Sequence, residues 1–224
     1  MTQSQDVSEP RQRLSLERVL EAAVALAARD GLESLTMRKL ADELGAGAMS
    51  LYHYVPNKER LLDGMVDIVF SEIELPSTEV DWKTAMRTRA VSTRDALRRH
   101  PWAIGLMEGR TTHGPANLRL HDAVLGCLRA AGFSIETTVQ AYSVQDAYIY
   151  GFALQERDMS PRTADDFAAE AQRQMHEYEA VLTDYPHLAE VVGGHVATSG
   201  YDYATAFLFG LDLILDGLDR LREA

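Results

Sequence analysis

Apolar residues recur every three or four positions along most of this chain, and this spacing limits the folds that it can adopt. The first such run has offsets of 0, 3, 4, 7, 10 and 11, at Leu16, Val19, Leu20, Ala23, Leu26 and Ala27. Spacing of this kind places one apolar stripe along an α-helix. Further helices are predicted at residues 37–44, 48–54, 57–70, 81–99, 101–108, 115–131, 135–157, 163–180, 184–192 and 200–222. Alternating patterns typical of strands are missing, so the sequence predicts an all-α fold.

Capping and breaking residues separate the predicted helices. Ser15, Thr36 and Asn57 stand where a side-chain oxygen can accept a hydrogen bond from the first helical turn. Later connections are predicted at Pro101, Gly109, Gly114-Pro115, Gly132, Pro161, Pro186 and Gly193-Gly194. We therefore expect three parts: a flexible tail at residues 1–14, a small three-helix domain at 15–65 and a larger helical domain at 66–224.

The charge of the chain restricts what it can bind. The formal net charge is −12, so a uniform attraction to nucleic acid or to an anionic membrane is not expected. Residues 1–65 carry eight Lys/Arg and ten Asp/Glu, whereas the remainder carries 14 and 24. Any contact with nucleic acid is therefore expected from a local patch in the N-terminal part.

Two features bear on the cellular compartment. Cys127 is the only cysteine, which excludes an intramolecular disulfide and fits a reducing cytosol. The N-terminal stretch MTQSQDVSEPRQR lacks the apolar segment of a signal peptide. The most apolar stretch near the C-terminal end, residues 204–218, contains Asp212 and Asp216. These two acids favour an amphipathic helix over a membrane span. We expect a cytoplasmic protein that does not contact membranes.

The stretch LGAGAMSLYHY, from Leu44 to Tyr54, joins two short predicted helices through three small residues. Small residues allow the tight turn of a helix-turn-helix motif, whose second helix lies in the DNA major groove. These eleven residues contain no Asp or Glu, although the chain has 34 of them, and Lys58 and Arg60 follow. Such a segment suits a surface that faces phosphates.

The segments TMRKLADELG, from Thr36, and LYHYVPNKERLL, from Leu51, resemble the DNA-binding domain of the tetracycline-repressor (TetR) family. The resemblance covers about residues 15–65, and the later region resembles the regulatory domain of that family more weakly. It implies a ligand-responsive transcriptional regulator, by family default a repressor. Such a protein binds palindromic operator DNA as a homodimer and is released by a small-molecule effector.

The resemblance also implies which residues contact DNA. They lie at the start of the helix before the turn, along the recognition helix and at the start of the next helix: Thr36, Met37, Arg38, Gly47, Ala48, Met49, Ser50, Tyr52, His53 and Lys58. Tyr52 and Lys58 match phosphate-contacting positions, and the helix that begins at Lys58 adds backbone N–H donors. The short, apolar side chains at Ala48 and Met49 depart from common patterns, so readout would use thymine methyl groups or DNA shape.

The larger domain is expected to supply a dimer surface and an effector pocket. Apolar faces at residues 135–157 and 200–222 are expected to be shared between the monomer core and a dimer interface, with Gly151 and Gly210 permitting close approach. Adaptable aromatic and methionine side chains suit a ligand pocket, although a residue of this kind more often belongs to the core. The candidates are Met86, Trp102, Met107, Tyr142, Gln145, Tyr148 and Tyr178.

No metal or cofactor is expected. Tetracycline with magnesium is disfavoured, because Glu108 stands where that repressor type has a metal-binding histidine. Among the seven histidines no His-x-x-x-His or His-Glu-x-x-His spacing occurs, and Cys127 has no paired thiol for zinc. Nor is there a Gly-x-Ser-x-Gly motif, so an enzyme is a remote alternative. A helical adaptor that binds protein instead of DNA is the other alternative; retained binding after Tyr52→Ala with Lys58→Ala would favour it.

Overall fold

The structure is a computed structural model that describes residues 13–107, 113–157 and 163–222. Within these ranges the regular elements are helices and none is a strand, which confirms the all-α fold. None of the described helices combines the length and apolar content that crossing a membrane requires. Most of the predicted tail and Glu108 lie outside the described residues.

The α-helices are numbered here in chain order. They are α1 Leu16–Asp30, α2 Met37–Glu43, α3 Ala48–Leu51, α4 Lys58–Ser71, α5 Trp82–Arg99, α6 Ile104–Met107, α7 Pro115–Ala130, α8 Ile135–Arg157, α9 Ala164–Glu177, α10 Glu179–Leu182, α11 Pro186–Val191, α12 Ala197–Ser199 and α13 Tyr203–Arg222. Short 3-10 turns occupy Leu32–Ser34 and Pro101–Ala103, and a π-helical turn occupies Val192–Val196.

The three predicted N-caps are confirmed. Ser15 Oγ accepts a hydrogen bond from the Arg18 backbone N–H at 3.3 Å, Thr36 Oγ1 from Lys39 N–H at 3.1 Å, and Asn57 Oδ1 from Arg60 N–H at 2.8 Å. Each bond satisfies one of the free N–H groups in a first helical turn. These local contacts fix where α1, α2 and α4 begin.

The chain forms two compact units. One comprises the described residues of Met1–Glu72 and Arg99–Arg119, and the other those of Ile73–Arg98 and Leu120–Ala224. The predicted domain boundary at residues 65 and 66 stays a prediction. Residues 66–72 and the described residues between 99 and 119 group by their contacts with the N-terminal helices.

The first unit has its own apolar core. α1, α2 and α4 pack around side chains that are almost fully buried: Val19, Ala23, Leu26, Leu40, Leu51, Val55, Leu61 and Met65. Leu51 and Val55 come from α3 and the turn after it, so the recognition segment is fixed to this core from one side. Burial of these apolar side chains is the main stabilising contribution to the unit.

In the second unit α8 packs against α13, and two buried ion pairs join α5 to α8. Arg89 pairs with Asp146 at 2.5 Å, and Arg94 pairs with Glu156 at 2.6 Å. Tyr148 of α8 stacks on Phe207 of α13 and donates a hydrogen bond to its carbonyl oxygen at 2.9 Å.

Two sequence-based predictions about local structure were wrong. The helix predicted at 48–54 ends at Leu51, and Tyr52–Tyr54 form a turn that leads into Val55 and Pro56. Pro56 disfavours helical backbone at Val55, so a helix through this position is unfavourable. Gly193-Gly194, predicted as a connection, lies inside the π-helical turn. A Cβ at Gly193 would lie 3.0 Å from Met175 Cε of α9.

Candidate nucleic-acid interface and effector-binding residues

A tight turn positions the recognition helix α3 after α2. Gly45 has a φ of 60°, in the left-handed region that glycine adopts without a steric penalty. Its N–H donates to Asp42 O at 3.2 Å, and the next N–H, of Ala46, donates to Ala41 O at 2.9 Å. These bonds close α2 within two residues, so that α3 can begin at Ala48.

One side of α3 packs against the core, and its other side faces solvent. Leu51 is fully buried, whereas Met49 is 76% exposed. Ser50, Tyr52 and His53 are exposed as well. A methionine this exposed gains nothing from the core of its own unit, and its placement suits contact with another molecule.

The remaining predicted DNA-binding residues divide into exposed and partly buried positions. Arg38, Gly47 and Lys58 are exposed. Met37 and Ala48 are half-buried and pack against the core of the first unit. Thr36 is exposed, and its hydroxyl accepts the α2 capping bond, so it also has a structural role.

Tyr54 holds the recognition segment to the chain before α1. Its hydroxyl donates to Leu14 O at 2.9 Å, across 40 residues of sequence. No sequence signal identifies this partner, because the bond joins two segments that only the folded unit brings together.

The cations of this region differ in whether an acid neutralises them. Arg29 pairs with Asp30 and Glu43, Lys39 pairs with Asp30, and Arg60 lies 3.6 Å from Asp63. Within the described part of the chain, Arg38 and Lys58 have no acidic partner and are exposed. These two are the cations that the family resemblance assigns to DNA.

Two acids near α2, Asp30 and Glu43, are already compensated. Hydrogen bonds and ion pairs from Arg29 and Lys39 lower the pKa of Asp30 to about 2, and Arg29 lowers the pKa of Glu43. Their charges are thus offset within the first unit. A phosphate near Arg38 and Lys58 would meet less repulsion than the net charge of the chain implies.

The predicted effector residues are not all in one unit. Met86, Tyr142, Gln145, Tyr148 and Tyr178 belong to the second unit, while Trp102 and Met107 belong to the first. Met86 and Gln145 are buried, Tyr142 and Tyr148 are half-buried, and Tyr178 is exposed. Trp102 packs against the core of the first unit, which is the structural role that the sequence left open for it. The assignment of these residues to a ligand stays a prediction.

Gly210 permits the close approach of a side chain, that of Tyr148, within the same chain. A Cβ there would lie 2.8 Å from Tyr148 Cζ, so glycine makes room for the stacking of Tyr148 on Phe207. Around Gly151 no atom of the described chain would lie within 4 Å of such a Cβ. The space beside Gly151 is therefore open in the single chain.

Charged residues are buried on α5 and α8, which was not predicted from the sequence. Arg89 and Arg94 occupy positions within the apolar stripe of α5, whose buried members include Met86, Ala90 and Leu97. A charged residue at a stripe position needs a buried partner, and this spacing was the signal that could have found it. Burial and the nearby Asp146 carboxylate raise the pKa of the Tyr142 hydroxyl, which therefore stays protonated.

The second unit also contains a cavity of about 430 Å³ that the sequence did not predict. It is lined by Thr78, Val80, Asp81, Trp82, Lys83, Cys127, Ala130, Ala131, Asp219 and Arg222. Lys83 pairs with Asp216 and Asp219, and Arg222 also pairs with Asp219, so both cations that line the cavity have acidic partners. Burial raises the pKa of the Cys127 thiol, which makes it less reactive. Across residues 13–107, 113–157 and 163–222, no cluster of three or more His, Cys, Asp or Glu could hold a metal ion.

Comparison with protein families gives two matches along the chain. Residues 19–65 match the model for bacterial regulatory proteins of the tetR family. Residues 75–222 match the model for the tetracyclin repressor-like C-terminal domain. Together they span nearly all of the described residues.

Individual relatives agree with these matches. HTH-type transcriptional repressor DrrR1 of Streptomyces coeruleorubidus is 38% identical over 219 residues, which cover 95% of this chain and 80% of the relative. Tetracycline repressor protein class G of Vibrio anguillarum is 29% identical, over 92% of this chain and 94% of the relative. The solved structure of the Streptomyces coelicolor TetR family protein ActR in complex with actinorhodin has a TM-score of 0.79 and 27% identity, and the match covers 95% of this chain and 100% of ActR. The chain therefore belongs to the TetR family of transcriptional regulators.

Proposed function

We propose that this protein is a ligand-responsive repressor that binds palindromic operator DNA as a homodimer and leaves it when a small-molecule effector binds. The observation that carries the proposal is the exposed, acid-free face of α3 in the same unit as Arg38 and Lys58, two exposed cations without an acidic partner among the described residues. Such a face combines groove contacts with phosphate contacts, which DNA recognition requires. Because Arg29 and Lys39 compensate Asp30 and Glu43, repulsion from these two acids is reduced at this face although the whole chain carries −12.

Exposed apolar side chains on α8 and α13 support the homodimer. Ile135, Val139 and Leu154 of α8 are exposed, as are Phe209, Leu213 and Leu221 of α13. Phe209 and Leu213 are four residues apart and so lie on one face of α13. Large apolar side chains exposed on helices suit a protein interface, and a second copy of the chain would cover them. The open space beside Gly151 allows a partner helix to approach α8 closely.

The class of effector is proposed from the relatives. ActR has been solved with actinorhodin, and a TetR from Acinetobacter baumannii, 26% identical with a TM-score of 0.68, with minocycline. Both compounds are polycyclic and carry many oxygen substituents. We propose that the effector of this protein belongs to the same broad class and binds in the C-terminal domain without a metal.

The proposed regulation is a linkage between two binding equilibria. Two recognition helices must match half-sites about one DNA turn apart, roughly 34–36 Å. An effector that prefers a mismatched arrangement by about 3 kcal/mol would weaken DNA binding by about 150-fold. The same coupling would make DNA weaken effector binding by an equal factor.

Selection of bound sequences from random duplex DNA tests the proposal. We expect a palindrome whose half-sites are about one turn apart, bound by a dimer. The double variant Tyr52→Ala with Lys58→Ala, purified in parallel, should select nothing. Failure of the unaltered protein to enrich any duplex at low salt would reject the proposal. A protein partner that binds both forms equally would favour the adaptor alternative instead.

A further inference from the structure

The chain before α1 is attached to the recognition segment, which is α3 and the turn that follows it. The Tyr54 hydroxyl in that turn donates to Leu14 O at 2.9 Å. A second bond fixes the preceding residue, because Arg18 Nη1 donates to Arg13 O at 2.9 Å. Neither bond caps α1, since the Ser15 side chain does that. Two successive backbone carbonyls before the helix are thus held by side chains of the first unit.

The backbone of Arg13 is held in place, whereas its side chain is available to another molecule. Leu14 is half-buried and packs against the core of the first unit, while Arg13 is exposed. Among the described residues, the Arg13 guanidinium has no acidic partner. Arg29, at the other end of α1, differs because Asp30 and Glu43 both pair with it. The position of Arg13 is therefore set by the fold, and its charge is not compensated.

The bond at Leu14 places this charge next to the proposed DNA-binding face. Consecutive Cα atoms are about 3.8 Å apart, so Arg13 lies one residue from the carbonyl that Tyr54 binds. Tyr54 directly follows Tyr52 and His53, which are exposed members of the recognition segment. A cation at this place would meet the backbone of a duplex that α3 enters, because DNA phosphates flank the groove on both sides.

The anchoring of Arg13 favours contact with a phosphate over contact with a base. A guanidinium can donate two parallel hydrogen bonds to phosphate oxygens while it neutralises one charge. An arm that reads bases in the minor groove must reach away from its domain. The backbone at Arg13 is instead bonded to the first unit and moves with α3. Phosphate contacts fix the orientation of a protein on the duplex, and a side chain tied to the recognition segment suits that task.

We infer that Arg13 is a further DNA-contacting residue, which binds a backbone phosphate, and that Tyr54 positions it. The inference rests on the proposed function, and it adds a residue that was not among those that the family resemblance assigns to DNA. The Tyr54 hydroxyl donates its proton to Leu14 O, so Tyr54 acts on DNA binding through the backbone that carries Arg13.

The salt dependence of operator binding tests the contact at Arg13. The full-length protein and its variants are titrated into a fluorescent operator duplex at about 50 to 200 mM salt. Each neutralised phosphate contributes about 0.9 to the slope of log K against log salt, so Arg13→Gln in the proposed dimer should make the slope shallower by about 1.8. The ratio of unaltered to variant affinity should then fall by about 12-fold across this range. Arg13→Lys keeps the charge and should keep the slope.

Arg220→Gln is the matched control for this measurement. Arg220 is also exposed and has no acidic partner among the described residues, but it lies in the last turn of α13, in the other unit. The variant removes the same charge from the chain and should leave the slope unchanged. Equal changes in Arg13→Gln and Arg220→Gln would show that net charge is responsible, and would overturn the inference.

A double-mutant cycle tests whether Tyr54 acts through Arg13. Tyr54→Phe keeps the ring but removes the hydroxyl that holds Leu14 O, so Arg13 has to be ordered when DNA binds. Tyr54→Phe should therefore weaken operator binding. Replacing Arg13 by glutamine in this background should weaken it by a factor at least about threefold smaller than in the unaltered protein. Additive effects would reject the positioning role, because they would mean that the two side chains act independently.

The same measurements separate this inference from the proposed function. Tight operator binding by the unaltered protein, with the same slope in Arg13→Gln, would reject the contact and leave the repressor proposal intact. A changed sequence preference with an unchanged slope would also overturn the inference, since it would indicate contact with a base. Failure of the unaltered protein to bind any duplex at low salt would reject both.

Discussion

Replacing Lys58 by alanine tests the proposed interface through the salt dependence of DNA binding. Lys58 is the first residue of α4, is exposed and has no acidic partner among the described residues. It is therefore free to neutralise one phosphate in each copy of the chain. The plot of log K against log salt falls by about 0.9 per neutralised phosphate. A dimer has two Lys58 side chains, so its slope should become shallower by about 1.8, and that of a monomer by about 0.9.

The change in slope can be measured by titrating a fluorescent operator duplex with the protein at salt concentrations from about 50 to 200 mM. Over this fourfold range, a slope change of 1.8 alters the ratio of variant to unaltered affinity by about 12-fold, and a change of 0.9 by about 3.5-fold. The assay thus reports both the contact and the number of subunits that make it.

Arg60→Ala is the matched control for this measurement. It removes the same charge from the same first turn of α4, but Arg60 lies 3.6 Å from Asp63 and is already partly compensated. Its slope should stay close to that of the unaltered protein. Equal slopes for Lys58→Ala and the unaltered protein would refute the phosphate contact, and equal changes in both variants would show that net charge alone is responsible.

Four further predictions follow from the described contacts. Met49→Ala should change the preferred DNA sequence while leaving the salt slope unaltered, because Met49 is exposed and uncharged; selection from random duplexes with both proteins checks this, and an unchanged preference would contradict base contact. Glu156→Leu should reduce the free energy of unfolding by about 3–5 kcal/mol in urea titrations, because it leaves buried Arg94 unpaired. Adding Arg94→Met should restore most of this stability, and a single variant as stable as the unaltered protein would show that the pair is not buried in solution. Gly114→Ala should cost about 1–2 kcal/mol, because its Cβ would overlap the Asp67 carboxylate that accepts from the N–H groups of Ala116 and Asn117 at the start of α7. Combination with Asp67→Ala should then be less than additive in chemical denaturation, since both changes remove the same contact. The pKa of Asp30 is lowered to about 2 from 3.8, so its contribution to stability is complete above pH 4 and is lost as pH falls from about 4 to 2. Asp30→Asn should remove that part of the acid sensitivity, and an Asp30 pKa near 3.8 by NMR titration would contradict the ion pairs with Arg29 and Lys39.

Much of the N-terminal unit could be predicted because its determinants are local. Capping oxygens at Ser15, Thr36 and Asn57 act on N–H groups three residues away, so the start of each helix is encoded in a few adjacent residues. The small residues of the turn and the absence of acids from Leu44 to Tyr54 are equally local. The sequence by itself therefore determined the all-α class, the helix-turn-helix and the exposed recognition face.

Only the tertiary structure decided which charged residues are buried and which partners they have. Arg89 meets Asp146 across 57 residues of sequence, and Arg94 meets Glu156 across 62. The same holds for Tyr54 and Leu14, which are 40 residues apart. Helical periodicity shows which side of α5 faces inward, but not which residues of α8 lie opposite it. Pairing across that distance depends on how the helices pack, and packing is a property of the whole folded unit.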